Sequence, residues 1–210
     1  MAVRSVLAHV PGLNDFTVTA ASVEAQTSFD GNPRGPRNHD LLLTGSATVG
    51  GVVVSVEAKA GEPYAETLGN YLASATTHEG SGKEARLRGL VDALAPHLSL
   101  DDPMVRGLRW QLFTGLAGAV AAATDSQATH AVFLIHELVT DRNTAGRRAV
   151  NDEDLKAFGV LVFERDLPAG DASWCVGPLA IRGSDRLDPS VKLYLGKAVT
   201  DLRPRRFDAA

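Results

Sequence analysis

Two apolar, β-branched runs, Asp40 to Thr44 (DLLLT) and Gly51 to Lys59 (GVVVSVEAK), flank a Gly/Ser/Thr-rich stretch. That pattern leaves the chain few options besides an antiparallel hairpin. Side chains alternate across a strand, so Val52, Val54, Val56 and Ala58 share one face while Ser55, Glu57 and Lys59 share the other. One face is suited to a core, the other to chemistry. With the turn centred near Thr48 and Val49, Asp40 falls opposite Glu57, their Cβ atoms about 5 Å apart, a span that suits one metal ion between two carboxylates.

The length of 210 residues fits a single domain, 1–210, with enough chain for a sizeable core. A net charge of -4 excludes a generally cationic surface, so contact with nucleic acid would rest on local basic clusters. The candidates are Arg34 with Arg37, Arg86 with Arg88, Arg142 with Arg147 and Arg148, and Arg203 with Arg205 and Arg206. The single cysteine, Cys175, forms no intrachain disulfide and fits a reducing, cytoplasmic setting. No signal-peptide core and no apolar run of roughly 18 residues is present, which predicts a soluble, unprocessed protein with no membrane partner.

Along the chain, residues 3–10 read as a first strand and the alanine-rich 16–27, containing Glu24, as a helix. Residues 30–38 (DGNPRGPRN) form a loop that projects Arg34 and Arg37 and runs directly into Asp40. After the hairpin, Gly61 ends the strand and Pro63 opens a helix over 63–76, striped by Tyr64, Leu68, Tyr71, Leu72 and Ala75. A second amphipathic helix covers 83–95. Asp101 and Asp102 before Pro103 start a long helix running to about Thr124, nearly all apolar in its second half, where Gly115 and Gly118 imply close approach of a neighbour. AVFLIHEL (131–138) reads as a strand covered on both faces, 140–150 as a loop, 152–164 as a helix, with a strand over VLVFE as the alternative, and 191–199 as an edge strand.

Phosphodiester cleavage needs an activated water, stabilisation of charge on the phosphoryl group and a stabilised leaving oxygen, and a divalent cation on carboxylates serves all three. Mg²⁺ accepts one or two protein carboxylates and keeps several waters. Asp40 and Glu57 supply such oxygens, Glu24 or Glu62 would add a third, and Lys59 is placed to assist the attacking water. An acid-x-Lys triplet arises by chance roughly once in a chain of this length. Asp154 and Lys156 form such a copy at an acidic helix start, where solvated charge and the helix dipole account for it. The copy at Glu57 differs because a hairpin aims it toward Asp40.

Asp40, followed seventeen residues later by Glu57-Ala58-Lys59 at the end of a valine-rich strand, resembles the PD-(D/E)xK nuclease superfamily. The longer strings VEAKAGEPYAETLGNYL, LRWQLFTGLAGAV and AVFLIHEL resemble an uncharacterised bacterial family within it. The resemblance covers about 15–165 and leaves 166–210 as an extension without a counterpart. It implies an α/β (α+β) protein with a restriction-endonuclease-like core: a helix, a three-stranded antiparallel meander, a second helix and a further strand in a central mixed sheet flanked by helices. It further implies Asp40, Glu57 and Lys59 as metal-binding and catalytic residues, Mg or Mn as cofactor, and DNA as the nucleic-acid partner. Gln111, beside Arg109, resembles a position that some members present toward the site, and a homodimer follows by analogy with nucleases that cut both strands. His39 stands where the superfamily motif has proline.

Other motifs carry less. The GSGK fragment in HEGSGKEA lacks a phosphate-loop glycine at Thr77 and a hydroxyl residue at Glu84, His136-Glu137 lacks the second histidine of a zinc site, and Cys175 with Trp174 reads as packing. The leading expectation is a metal-dependent nuclease hydrolysing DNA phosphodiesters. The alternatives are a non-catalytic nucleic-acid-binding or scaffold protein on the same fold, and an unrelated α/β protein with an ordinary hairpin.

Overall fold

The structure, a computed structural model, describes residues 2–31, 35–76, 82–141, 145–168 and 170–204. The elements in chain order are α1 (Ala2–Leu7), β1 (Thr17–Thr27), β2 (Arg37–Ala47), β3 (Gly50–Lys59), α2 (Leu68–Thr76), α3 (Lys83–Leu94), α4 (Pro103–Arg106), α5 (Trp110–Asp125), β4 (His130–Val139), α6 (Ala145–Val162), β5 (Trp174–Leu179) and β6 (Lys192–Asp201). The strands form one six-stranded mixed sheet in the order β1-β2-β3-β4-β6-β5. β3, β4 and β6 run parallel, while β2 and β5 run against their neighbours.

The hairpin forms as its sequence pattern demands. Ala47 pairs with Gly50 across a turn at Thr48 and Val49, and Leu41 pairs with Val56 at the far end. Both faces of β3 and β4 are covered. Val52, Val54, Val56, Val132 and Leu134 pack with Val6, Leu7 and Leu13 on the α1 side. Val53, Ala131, Phe133 and Ile135 pack with α5, α3 and α6 in the larger core on the other side. Hence these strands are apolar in consecutive positions. α5 is buried continuously from Leu112 to Ala123, as its all-round apolarity requires. Gly115 and Gly118 mark close approaches, as expected. A Cβ on Gly115 would lie 2.2 Å from the Phe133 ring, and one on Gly118 would lie 2.6 Å from Arg37 Cγ and 2.9 Å from His39 Cε1.

Several expectations are corrected. The first segment is a helix rather than a strand, because Val3, Val6, Leu7 and Val10 recur at helical spacing and lay one stripe on the sheet. Residues 16–27 form strand β1, where pairing with β2 overrides the helical preference of the alanines. α2 starts at Leu68 and not at Pro63, because Tyr64 is buried in an irregular segment, Ala65 takes a left-handed φ of 54°, and Thr67 bridges Arg109, its hydroxyl accepting from Asn70 N at 3.2 Å. Asp102 caps α4 by accepting from Met104 N at 2.8 Å, but the long helix breaks at Gly107–Arg109, where Leu108 O accepts from Leu68 N. α6 begins at Ala145, inside the expected loop. β6 is interior and β5, unforeseen, is the edge, so the stretch after 165 contributes two of the six strands. No helix among the described residues is long and apolar enough to cross a membrane.

Gly115→Ala should cost about 1–3 kcal/mol through collision with Phe133, measurable as a lower urea midpoint, and Phe133→Leu in the same chain should recover part of it.

Candidate active site at the carboxyl ends of the parallel strands

The parallel strands β3, β4 and β6 end at the same edge of the sheet, the side on which open α/β sheets receive ligands. On the α5 face of that edge stands Glu57, 6 % exposed. Its Oε2 receives Arg37 Nη2, its Oε1 accepts from Gln111 Nε2 at 2.6 Å, and Lys59 Nζ lies 3.0 Å from Oε1. Lys59, 4 % exposed, also sits over the Tyr64 ring, 5.5 Å from its centroid. A buried carboxylate needs such partners, since an unpaired charge removed from water costs several kcal/mol or more.

Asp40 meets this group by a break in β2. The register continued one step beyond Leu41–Val56 sets Asp40 beside Glu57, and Asp40 Oδ2 accepts from Ala58 N at 2.6 Å. Strict alternation would send His39 to the α1 side with Leu41 and Leu43. Instead His39 reaches Ser55 Oγ (2.6 Å) and Thr27 Oγ1 (3.1 Å) on the α5 side, next to Gly118. The alternation shifts at Asp40, across from Glu24, whose φ of 50° lies in the left-handed region. That shift turns Arg37 and His39 inward.

A second charged group adjoins the first. Glu137 is the register partner of Lys59, and Lys197 that of Ile135. Lys197 Nζ lies 3.0 Å from Glu137 Oε2 and donates to Asp152 Oδ1 at 2.5 Å, while Arg148 Nε donates to Glu137 Oε1 at 2.6 Å. Burial disfavours the charged Glu137 carboxylate, but the hydrogen bonds from Arg148 and Lys197 overcome it and hold its pKa below the ordinary value. Burial and the neighbouring carboxylates Glu137, Asp152, Asp154 and Glu57 push the Tyr64 hydroxyl well above 10, so it stays protonated.

The remaining expected site residues are placed as follows. Glu24 is exposed on edge strand β1 and not on a helix. Glu62 is exposed and folds back onto its own turn, accepting from Ala60 N at 2.9 Å. Arg34 lies outside the described residues. Arg37 and Gln111 join Glu57, whereas Arg109 stands one layer away, its Nε 2.9 Å from Asp154 Oδ1 and its Nη1 donating to Ala65 O at 3.1 Å. Asp154 is therefore no solvated helix-start charge: it lies inside α6 and is mostly buried against Arg109. Among the other basic clusters, Arg86 pairs with Asp30, Arg88 with Glu84, Arg148 with Glu137 and Asp171, and Arg203 with Asp201. Glu137, Lys197 and Asp152 were missed by sequence reasoning, and Arg148 was named only as a member of a basic cluster. The one available signal was a charged residue within each of two apolar β-branched runs, FLIHELV and VKLYLGKAV. His136 is a satisfied strand residue, hydrogen-bonded to Thr200 Oγ1 at 2.9 Å, and burial pushes the Cys175 thiol up to about 12, which leaves it protonated at neutral pH.

The donor set suits a hard cation in kind. Glu57 and Asp40 offer carboxylate oxygens, Asp40 Oδ1 has no hydrogen bond among the described residues, and Gln111 Oε1 is buried without a partner. Two carboxylates suffice for Mg²⁺, which retains waters. No three His, Cys, Asp or Glu side chains converge as a ligand group among the described residues. Arg37 and Gln111 also line a cavity of about 340 Å³ with Arg86, Trp110 and Phe29, beside the site but not lined by Asp40, Glu57 or Lys59.

A family model described as "Domain of unknown function (DUF6946)" matches residues 1–202. The chain belongs to this family. No curated protein and no solved structure matches it. The DUF6946 match runs from α1 through β6, so both charged groups and the two strands after residue 165 lie inside the matched domain.

Burial, then the Arg37 charge, lowers the His39 pKa to about 4 from 6.5. The folded value lies below the unfolded one, so the unfolded chain takes up the proton first. Stability should be full above pH 6.5 and fall by about 3 kcal/mol as pH drops from 6.5 to 4. His39→Gln should flatten that decline in urea unfolding measured across this range, whereas an unchanged slope would contradict the assignment.

Proposed function

We propose that this chain is a metal-dependent nuclease with a restriction-endonuclease-like core that hydrolyses DNA phosphodiesters. The observation that carries this reading is the junction of Asp40, Glu57 and Lys59: Asp40 is anchored on the backbone N–H of Ala58, between the other two, at the carboxyl edge of parallel strands. The order of elements supports the core. The β1–β2–β3 meander is antiparallel, and α5 leads into β4, which lies parallel to β3.

Asp40 and Glu57 would hold Mg²⁺ or Mn²⁺, which when bound polarises a phosphoryl oxygen and makes a water more acidic. Lys59 is held at Glu57 by charge and over Tyr64 by its ring, which positions an ammonium donor for the attacking water or a phosphoryl oxygen. Arg37 lines the cavity, with its Nε buried and without a hydrogen bond and its Nη2 held by Glu57. Its guanidinium would give a phosphate in the cavity a charge-assisted contact rather than a two-point one. Gln111 ties α5 to Glu57, so the helix and strand hold the carboxylate in one orientation. A second reading, a nucleic-acid binder that does not cleave, is favoured by the full engagement of both Glu57 oxygens by Arg37, Lys59 and Gln111.

Incubation of plasmid and single-stranded DNA with Mg²⁺, Mn²⁺ or EDTA separates the two readings. Cleavage is expected with metal and not with EDTA, reduced about 10²- to 10⁴-fold by Asp40→Asn or Lys59→Met. Cleavage indifferent to those changes would overturn the mechanism. In calorimetry, Mg²⁺ or Mn²⁺ should release binding heat that Glu57→Gln removes.

A further inference from the structure

The cavity lined by Arg37 and Gln111 has a neighbour. Phe29 and Arg86, which form part of its wall, also line a second cavity of about 350 Å³ between α3 and residues 184–187. Each volume lies near the lower end of the roughly 300–1,000 Å³ typical of small-molecule pockets. The shared wall is a stack. The Arg86 guanidinium sits 4.8 Å from the Phe29 centroid and 5.7 Å from that of Trp110, and is fixed in place by Asp30 and by Gly35 O. The second cavity has an apolar floor of Leu90, Ala93 and Leu187, and carboxylates at its rim in Asp30 and Asp185.

Tyr71, Trp110, Arg86 and Phe29 cover one another's faces, so the wall is closed to stacking and what it leaves is a concave apolar recess. Such a recess admits an unstacked base, whereas a duplex presents stacked bases and needs a broad cationic surface. The charge distribution opposes the duplex. The chain carries a net charge of -4, and Arg37, Arg86 and Arg186 around the cavities are each bound to an internal carboxylate. We propose that the substrate is single-stranded nucleic acid: a phosphate lies at Arg37 and Gln111, and the neighbouring unstacked base enters the Phe29–Arg86–Leu90 cavity. The exposed Asp185 carboxylate at the rim accepts hydrogen bonds from amino and ring N–H groups on the edge of a base, while Asp30 stays with Arg86. This inference rests on the nuclease reading for the scissile phosphate, but the base cavity makes its own prediction about binding.

The test is binding in EDTA, where cleavage does not intervene, read by the anisotropy of a short labelled single strand and of the same sequence as a duplex. Ala85 and Gly89 line the second cavity from exposed positions of α3, and a Cβ on Gly89 meets nothing within 4 Å. Ala85→Trp and Gly89→Trp can therefore fill the cavity without disturbing the core, with thermal unfolding as the check. Single-strand binding should exceed duplex binding and weaken about 5- to 150-fold in the tryptophan variants, while Gly89→Ala retains it. Equal affinity for duplex, no binding of single strands, or tryptophan variants that bind like wild type would each overturn the proposal. Single-strand binding without metal-dependent cleavage would sustain it and remove the nuclease reading. Cleavage with no strand preference would do the reverse.

Discussion

Glu57 is a carboxylate taken almost wholly out of water on a strand packed from both sides, and much of the surrounding architecture consists of what that burial demands. Arg37, Lys59 and Gln111 each come from a different place, and each has a structural cause. Lys59 arrives by alternation along β3. Gln111 arrives because the helix is interrupted at Gly107–Arg109, so that α5 begins beside the end of β3. Arg37 arrives because β2 shifts its alternation at Asp40 and because Gly118 lacks the side chain that would collide with it. Removing one partner of such a group typically costs 3–5 kcal/mol, because the charge that remains is stranded.

The same constraint spreads sideways. Lys59 stands next to Glu137 in register, Glu137 takes Arg148 and Lys197, and Lys197 takes Asp152. Three parallel strands and α6 are thereby linked by charge at one edge of the sheet while their apolar faces are linked by packing. Such a network contributes little net stability compared with apolar side chains of the same volume, but it is intolerant of rearrangement and holds its members in one geometry. A site that must orient a phosphoryl group benefits from that rigidity.

Much of this was legible in advance where the determinants are local. The hairpin turn, the pairing that sets Asp40 near Glu57, the doubly covered β4, helix α3 and the Asp102 cap all depend on residues close in sequence. The close approaches at Gly115 and Gly118 were legible because a glycine in an apolar helix is otherwise unfavourable. Reading failed where distant pairing decided the outcome. Thr17 to Thr27 has alanines enough for a helix, and becomes a strand only because β2 offers an edge. Tyr64 breaks a helical stripe because burial beside Lys59 outweighs one more helical turn. Glu137 looked incidental within an apolar strand until Arg148 and Lys197, 11 and 60 residues further along, closed on it.

By itself, then, the amino-acid sequence determined the hairpin, its turn and register, and the presence of Asp40, Glu57 and Lys59 at its open end, because alternation and β-branching act over a few residues. Only the tertiary structure decided that Glu57 and Lys59 are buried rather than lying on an open strand face, and that Glu24 and Glu62 stand apart from them. It also decided that a second carboxylate and ammonium complete the edge. Those outcomes depend on which elements cover which faces, and burial is the quantity that turns an ordinary charged pair into one that must be compensated.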